Sequence, residues 1–361
     1  MYPRLNIDLS KFEHNAQALL ELCHSRGISV AAVTKVYCAD TKMVEILCRV
    51  GVDFLADSRL ENIESYPQSR KCRTMLLRLP SPSEAERVVR GCDISCNSEL
   101  HTLKRLAEAA RKLDVRHGVI LMVDLGDLRE GIYYDNKPLL YETADFIHSQ
   151  PCLSLAGIGV NLTCYGSILP TAGNLRQLCG IRQDLSQRLG VEIPILSGGN
   201  SSSLYLVENG EIPAGINNLR LGEAMVRGIE TAFTLPFAGL ETDVVTLEAE
   251  IIEIMEKPSL PEGEKGYDAF GQQPHYEDKG PMRRAILAVG RQDTSYEGLA
   301  STLPGVDIIG ASSDHLMVDV TRTAKPLQVG DTLTFSLSYG AILAGFTSKY
   351  VQRSYIGTHQ R

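Results

Sequence analysis

The regular alternation of strands and helices constrains the fold of this chain more than any other feature of its sequence. Apolar runs rich in β-branched residues recur through the first two thirds of its 361 residues, and amphipathic stretches separate most of them. The strand-like runs are residues 28–36, 52–58, 74–80, 92–98, 117–126, 154–162, 192–200 and 217–226, and the helical stretches include 11–26, 41–50, 98–113, 137–150 and 173–189. Eight such units predict an α/β fold with a closed (β/α)8 barrel of the TIM type. A doubly wound open sheet is the alternative, but no Gly-x-Gly-x-x-Gly motif follows the first strand.

The pattern changes after residue 228. Short β-type runs follow at residues 244–255, 285–289, 306–309, 316–320 and 332–337, and residues 257–282 are rich in Pro, Gly and charge, which predicts a long loop. We therefore predict a barrel domain over residues 10–228 and a smaller, mainly β domain over residues 229–361. Because residues 4–9 are strand-like and precede the first barrel strand, we expect the N-terminal segment 1–9 to join the β domain.

Composition narrows the classes of partner. The net charge of −8 and the pI of about 5.6 argue against nucleic acid or an anionic membrane as the main partner. No apolar run approaches the roughly 20 residues of a membrane span, and the first residues lack an apolar signal core, so a cytoplasmic location is expected. Nine cysteines without paired spacing are a poor disulfide framework. With no Cys-x-x-Cys or His-x-x-x-His motif, no metal site is predicted.

Residues that carry chemistry collect at the predicted carboxyl ends of the strands. Lys35 ends the first strand, and a lysine amine buried at a barrel mouth has a lowered pKa and can form a Schiff base with a carbonyl. Read from its neighbours alone, Lys35 would simply reach the solvent. The other strand ends carry polar residues at 57–59, 123–131, 161, 197–203 and 220–223. Because the carboxyl ends of barrel strands form one rim, we expect these residues to converge.

The run Ser-Gly-Gly-Asn-Ser-Ser-Ser at residues 197–203 predicts a phosphate site. Backbone N–H groups at a helix start, together with hydroxyls, suit an anion, although an ordinary serine cap after a glycine turn fits the local sequence equally well. Residues 220–222 offer further N–H groups on the next strand, and a phosphate between strands seven and eight is common in barrels. A reactive lysine and a phosphate site on one rim suggest pyridoxal 5'-phosphate.

In these segments the chain resembles the alanine racemase-like enzymes that depend on pyridoxal phosphate, also called fold type III. The resemblance covers nearly the whole chain, with the barrel first and the β domain second. It rests on residues 32–35, 123–131, 200–201 and 219–222. Within this family, residues 197–203, 289–293 and 310–315 look most like the branch of ornithine racemases.

The resemblance implies a role for each matched residue. Lys35 would hold the cofactor covalently and act as a base on one face of the substrate, and Arg129 would approach the cofactor's phenolic oxygen. Arg220 would face the pyridine nitrogen; a guanidinium keeps its proton, so the ring would stay unprotonated and withdraw electrons more weakly. A salt bridge to a nearby acid is the plainer alternative for Arg220. The other cofactor-binding residues would be Asn161, Asn200, Ser201, Ser202, Gly222 and Glu223.

The first departure from alanine racemases concerns the second base. Where those enzymes carry Gly-Tyr-x-Asp, residues 290–293 read Gly-Arg-Gln-Asp, and arginine cannot serve as a base. His315 is our candidate for the second catalytic base, because an imidazole suits proton exchange near neutral pH and Asp314 could orient it. An Asp-His surface loop is the alternative. Tyr296 and Cys164 are weaker candidates.

Further departures bear on the substrate. Asn161 replaces a histidine of alanine racemases, and Met122 replaces a lysine that some of them carbamylate, which argues against alanine. Arg291, Asp293 and Asp314 are expected to bind the substrate, and the two acids would suit the distal ammonium of a basic amino acid.

The predicted function is a pyridoxal-phosphate-dependent racemase that interconverts L- and D-ornithine, or another basic amino acid, by abstracting the Cα proton of the bound substrate. The resemblance also implies a head-to-tail homodimer. A D-amino-acid aldolase, a decarboxylase of the same fold and a non-enzymatic carrier of the cofactor are the alternatives. An aldolase would use a divalent metal, a decarboxylase would need a cysteine in the β domain, where this chain has none beyond Cys179, and carriers resemble the barrel alone.

Overall fold

The structure is a computed structural model that describes residues 1–273 and 275–357. The strands, in chain order, are β1 (Arg4–Asp8), β2 (Ser29–Val33), β3 (Phe54–Asp57), β4 (Arg73–Leu76), β5 (Ile94–Asn97), β6 (His117–Asp124), β7 (Ile132–Tyr133), β8 (Leu153–Val160), β9 (Ile195–Asn200), β10 (Asn218–Leu221), β11 (Ile229–Glu230), β12 (Leu235–Pro236), β13 (Val245–Pro258), β14 (Pro281–Leu287), β15 (Leu299–Ser301), β16 (Asp307–Ala311), β17 (Leu316–Asp319), β18 (Thr332–Leu337) and β19 (Gln352–Ile356). The α-helices are α1 (Leu9–His24), α2 (Thr41–Val50), α3 (Leu60–Glu64), α4 (Ala85–Gly91), α5 (Leu100–Leu113), α6 (Lys137–Ser149), α7 (Ala172–Leu189), α8 (Leu204–Glu208), α9 (Glu223–Arg227) and α10 (Tyr339–Thr347).

The predicted parallel barrel is confirmed. Its strands follow the order β5-β4-β3-β2-β10-β9-β8-β6, and pairing between β5 and β6 closes the ring. Every pairing between these strands is parallel, as in β2 with β3 and β2 with β10. The open doubly wound sheet is therefore excluded. All eight predicted strand regions contain a barrel strand, because fully buried parallel strands are continuous apolar runs that are easy to recognise.

Two apolar layers hold the barrel together. Small and medium side chains fill the interior, among them Ala31, Ala56, Ile94, Cys96 and Met122. Alternate residues of the same strands point outward and pack against the helices, in a cluster that includes Leu121, Val123, Ile158, Leu178 and Leu185. This two-sided burial explains why the strands lack polar alternation.

Helix α2 shows how local sequence fixes an element. The side chain of Asp40 accepts hydrogen bonds from the backbone N–H groups of Lys42 and Met43, which begins the helix. Gly51 ends it in the left-handed region at φ 82°, where a residue without Cβ carries no strain. The predicted bounds, 41–50, are those observed.

The chain divides into two compact units, residues 9–242 and residues 1–8 together with the segment from 243 onward. The barrel unit thus runs past residue 228, where the sequence analysis ended it. The reason is local: residues 229–242 return onto the barrel's own helices, with His14 Nε2 2.8 Å from the carbonyl oxygen of Gly239 and Asn15 Nδ2 donating to the carbonyl of Glu241 at 2.8 Å. This short irregular segment has no periodicity that would reveal its attachment.

The second unit is built on a mixed sheet in the order β15-β18-β13-β14-β17-β16. Strand β1 pairs antiparallel with β13 and parallel with β19, so the N-terminal strand lies in this sheet. The loop between β13 and β14 spans residues 259–280, slightly shorter than predicted, because both strands extend into it. Strands β15 and β19 and helix α10 were not predicted. Within the described part of the chain, none of the helices is long and apolar enough to cross a bilayer.

His117 makes the stability of the barrel depend on pH. It begins β6, is fully buried, and places Nε2 2.7 Å from Ser95 Oγ; burial lowers its pKa from 6.5 to about 4. Between these pH values the unfolded chain binds more protons here than the folded one, so stability falls as the pH falls. From pH 7 to 4.5 this group alone should cost about 2.5 kcal/mol. We expect the free energy of unfolding of His117→Gln, measured with denaturant, to fall between pH 7 and 4.5 by that amount less than the free energy of unfolding of the wild type. An equal fall in the two proteins would contradict the prediction.

Candidate active site

Lys35 lies at the barrel mouth, immediately after β2, as the first residue of a 3-10 turn (Lys35–Tyr37). Thr34 changes the backbone from extended to helical at φ −93° and ψ −5°, and its carbonyl accepts the N–H groups of Tyr37 and Ala39. Cys38 and Ala39 then adopt positive φ values, 49° and 50°, which are uncommon for residues with a side chain. The turn therefore holds the partly buried Lys35 in a closely defined position.

A buried hydrogen-bond network supports this turn from beneath. Thr34 Oγ1 donates to Asp57 Oδ2 at 2.5 Å and lies 2.7 Å from the hydroxyl of Tyr66. The other oxygen of Asp57 accepts the backbone N–H of Arg59 and the amide of Asn62. Burial raises the pKa of Asp57, although each of these hydrogen bonds opposes the change.

The serine run forms a compact cradle between β9 and β10. Residues Ser201–Ser203 form a 3-10 turn that Asn200 caps by accepting the N–H of Ser202 at 2.8 Å. Ser201 Oγ accepts the N–H of Ala224, at 3.3 Å, from the neighbouring helix α9. The hydroxyl of Ser202 is buried and has no hydrogen-bond partner within the described residues. A buried hydroxyl without a partner is costly, and a bound acceptor such as a phosphate oxygen would satisfy it.

Gly222 completes the cradle on the side of β2. A Cβ atom there would lie 2.9 Å from Val33 Cβ and 3.0 Å from the carbonyl oxygen of Val33. The chain can therefore pass this close to the lysine-bearing strand only because the residue is glycine. The side chain of Glu223, the next residue, forms an ion pair with Arg227 on the same helix. Glu223 would therefore contribute to the cradle through its backbone N–H rather than through its side chain. Hydroxyls and N–H groups at a rim beside a lysine suit a phosphate-bearing aldehyde such as pyridoxal phosphate.

Arg220 lies on β10, and its buried side chain contacts residues of β9 and β8. Its Nη1 donates to Ser197 Oγ at 2.6 Å, and its Nη2 donates to the carbonyl of Val160 at 2.7 Å. Nη2 also lies 3.4 Å from Oδ1 of Asn161. Among the described residues no carboxylate pairs with Arg220, so the salt bridge that we considered as an alternative is not present. Neutral partners hold the guanidinium in place.

Arg129 and Asn161 form a second polar group at the same rim. Asn200 Nδ2 lies 3.2 Å from the side-chain oxygen of Asn161 and donates to the carbonyl of Leu162 at 3.0 Å. In the amide orientation that turns its oxygen toward Arg129, Asn161 accepts from Arg129 Nη2 at 2.6 Å. Arg129 also makes a two-point ion pair with Glu130. Burial is the largest single effect and works against its charge, but the hydrogen bonds that Arg129 donates to Glu130, together with the nearby acidic groups, outweigh it and raise the pKa of Arg129.

Two aspartates fix the loops that carry these groups. Asp124 Oδ1 accepts the N–H groups of Gly126 and Leu128, which folds the segment before Arg129. Asp127 is buried, and its carboxylate accepts three backbone N–H groups from the loop after β8, those of Cys164, Tyr165 and Ile168. Cys164 Sγ then lies 3.6 Å from Asn200 Nδ2. Barrel residues from β2, β6, β8, β9 and β10 thus meet at one rim, as predicted, while Thr34, Asp127 and Glu130 were not singled out from the sequence.

In the second unit, the two segments that resemble ornithine racemases, residues 289–293 and 310–315, are neighbours. The N–H groups of Arg291 and Gln292 donate to the carbonyls of Ser312 and Ser313, both at 3.0 Å. The buried carboxylate of Asp293 accepts the N–H of Gly290 at 2.9 Å, and burial raises its pKa. Asp293 was predicted from the sequence to bind the substrate; in this structure its carboxylate holds the turn at Gly290, and substrate binding stays a prediction.

Arg291 and His315 have different surroundings within that unit. The guanidinium of Arg291 stacks between the rings of Phe270, 4.6 Å away, and Tyr296, 4.4 Å away, and forms an ion pair with Glu297 at 2.8 Å. His315 Nδ1 lies 2.9 Å from Asp314 Oδ1, and the side chain of His315 is 45% exposed. The histidine is therefore oriented by a carboxylate and accessible, which are the properties that a proton donor requires.

Known proteins resemble this chain over nearly its full length. Residues 7–228 match the family model of the alanine racemase N-terminal domain. A protein named ornithine racemase, from Acetoanaerobium sticklandii, is 48% identical over 98% of this chain and 99% of its own length. A protein named lysine racemase, from Thermotoga maritima, is 38% identical over 98% of this chain and 99% of its own length.

Solved structures agree on the fold. The alanine racemase of Streptomyces coelicolor has a TM-score of 0.74 at 18% identity and covers 98% of each chain. The alanine racemase of Bartonella henselae, solved with covalently bound pyridoxal phosphate, has a TM-score of 0.74 at 17% identity, covering 99% of this chain and 100% of that one. The chain therefore belongs to the alanine racemase family and is a pyridoxal-phosphate-dependent amino-acid racemase.

Proposed function

We propose that this racemase interconverts L- and D-ornithine, with lysine and arginine as the nearest alternative substrates. The support is its high identity to a protein named ornithine racemase and its lower identity to one named lysine racemase. Both proteins are named after basic amino acids.

The residues of the barrel suit this chemistry. Pyridoxal phosphate, when bound, withdraws electrons from the substrate and acidifies its Cα–H bond. The hydroxyls of Ser201 and Ser202, with the backbone N–H groups of Gly222 and Glu223, would hold the phosphate. Arg129, Asn161 and Asn200 would line the ring. The Nζ of Lys35 would anchor the cofactor and move the Cα proton on one face of the substrate.

The observation that carries racemisation is the environment of Arg220. Its guanidinium donates to Ser197 Oγ and to the carbonyl of Val160, and no carboxylate pairs with it among the described residues. Facing the pyridine nitrogen, such a group would leave the ring unprotonated. Electron withdrawal is then moderate, which favours the return of a proton to Cα over elimination or transamination.

The second face of the substrate needs its own proton donor. We assign this role to His315, oriented by Asp314, and we keep substrate binding by Arg291, Asp293 and Asp314 as predictions. In the head-to-tail homodimer that the family resemblance implies, the β domain of one copy would meet the barrel of the other. The cytoplasmic location likewise stays a prediction.

The test is incubation of cofactor-loaded protein in deuterated water with a panel of L-amino acids, followed by chiral chromatography and mass spectrometry. The panel contains ornithine, lysine, arginine, alanine and serine. We expect D-ornithine that carries deuterium at Cα, formed faster than any other D-amino acid. Deuterium exchange without inversion would contradict racemisation, and the absence of any exchange would favour the cofactor-carrier alternative.

A further inference from the structure

Glu130 stands out among the carboxylates at the barrel rim because its partner belongs to the cofactor site. Each neighbouring acid serves its own element: Asp57 bonds Thr34 and the turn at Arg59, Asp124 and Asp127 bind loop N–H groups, and Glu223 pairs with Arg227. Glu130 instead makes its ion pair with Arg129, a residue of the cofactor site, through both of its carboxylate oxygens.

The position of this ion pair is fixed by the surrounding chain. Gly131, at φ 125°, packs so tightly that a Cβ there would lie 2.5 Å from the backbone nitrogen of Asp124. The next residues form β7, which pairs with the carboxyl end of β6 at Val123 and Asp124. Glu130 therefore sits in a short, anchored segment at the rim, next to the close backbone contact of Gly131.

The two side chains of the Glu130–Arg129 ion pair differ in their exposure to solvent. The side chain of Glu130 is 14% exposed, whereas that of Arg129 is 43% exposed. The carboxylate is thus largely shielded from water, and Arg129 compensates its charge. A shielded carboxylate that loses its cation must find another, because an unpaired buried charge is strongly unfavourable. The site is therefore suited to exchange one cation for another.

We propose that Glu130 is a specificity-determining residue that accepts the side-chain ammonium of the substrate in place of Arg129. The inference rests on the proposed function, since it requires a basic substrate. When the substrate ammonium pairs with Glu130, Arg129 is released to pair with the substrate's α-carboxylate. Two ion pairs then replace one. A neutral amino acid brings a carboxylate but no second cation, so it can recruit Arg129 only by leaving Glu130 unpaired.

The chemistry of Asn161 agrees with such an exchange. Its side-chain amide lies 2.6 Å from Arg129 Nη2 and 3.2 Å from Asn200 Nδ2. An amide carries both donor and acceptor, so it can follow the guanidinium between two positions without acquiring a charge. A histidine at this position could itself become charged next to two arginines, whereas asparagine cannot.

The test compares ornithine with norvaline, which has the same carbon chain but lacks the ammonium, in the wild type and in Glu130→Gln. We expect the wild type to prefer ornithine in kcat/KM. In Glu130→Gln this preference should fall by about 10- to 100-fold, mainly through a higher KM for ornithine, as expected from the loss of one charge-assisted hydrogen bond. The rate with norvaline should stay within a few-fold or rise, because its binding no longer leaves a carboxylate unpaired.

Controls separate the possible failures. Glu86→Gln removes a surface glutamate of α4 that pairs with Arg90 and Lys112, and it should change neither substrate. Glu130→Asp should restore part of the preference. If the wild type shows no preference for ornithine over norvaline, the proposed substrate class and the role of Glu130 both fail. If the wild type prefers ornithine and Glu130→Gln keeps that preference, the role of Glu130 alone is overturned. The same conclusion holds if the rates with both substrates fall equally in Glu130→Gln, because Arg129 would then simply have lost its ion-pair partner.

Discussion

Lys35→Ala should lose racemase activity by a factor of at least about 10⁴, because it removes both the covalent anchor of the cofactor and one of the two bases. The barrel should remain folded. Thr34, which follows β2, keeps its hydrogen bonds to Asp57 and Ala56, and none of these involves the lysine side chain. The loss should therefore appear in chemistry and in cofactor attachment rather than in stability.

Three measurements check this expectation. The absorbance of the bound cofactor should lose the band of the lysine-linked form, chiral chromatography should detect no product, and the melting temperature of the apoprotein should stay close to that of the wild type. Lys104→Ala, which removes an exposed lysine of α5, is the matched control and should behave like the wild type. Retention of both the absorbance band and the activity in Lys35→Ala would disprove the assignment of the site.

His315→Asn should slow racemisation by about 10²- to 10⁴-fold while leaving cofactor binding unchanged, as expected for the loss of a general acid–base group. The values of kcat/KM in the two directions must fall together, since their ratio equals the equilibrium constant between the enantiomers, which is one. The asymmetry should appear in hydrogen exchange. The enantiomer whose Cα–H bond faces Lys35 should still exchange with deuterated water, and it should do so without inversion.

Mass spectrometry combined with chiral separation reads both outcomes from the same reaction. Tyr296→Phe is the control, because Tyr296 was a weaker candidate on the same domain and the variant keeps the ring that contacts Arg291. Asp314→Asn should give a smaller decrease in rate than His315→Asn, since the aspartate only orients the imidazole. Near-wild-type racemisation by His315→Asn would remove this histidine as the second base.

The sequence predicted most of the barrel because its signal is local. Each buried strand is an apolar run, and helix α2 has its cap at Asp40 and its end at Gly51. Strand β15 has only three residues and α10 contains two glycines, so neither carries enough periodicity to be recognised. The end of the barrel unit depends on contacts such as that of Asn15 with Glu241, which lie 226 positions apart.

The sequence allowed us to predict which residues lie at the site but not which of their side chains contact each other. Strand ends at one rim follow from the fold, so Lys35, Arg220 and the serine run were foreseeable. The partners of each side chain depend on rotamers and loop paths. Glu130 is adjacent to Arg129 in the sequence, yet nothing in that adjacency shows that the two side chains pair or that the carboxylate is the more buried one. Asp127 likewise looked like one of several loop acids before its three N–H partners were visible.

The contact between Gly222 and Val33 has a consequence for how the protein is made. Strand β10 is the last barrel strand in the chain and β2 is the first, and the two pair side by side. A ribosome must therefore synthesise the chain beyond residue 222 before the lysine and the phosphate cradle can exist together. We therefore expect shorter nascent chains not to hold the cofactor, and its attachment would then mark the closing of the ring of strands.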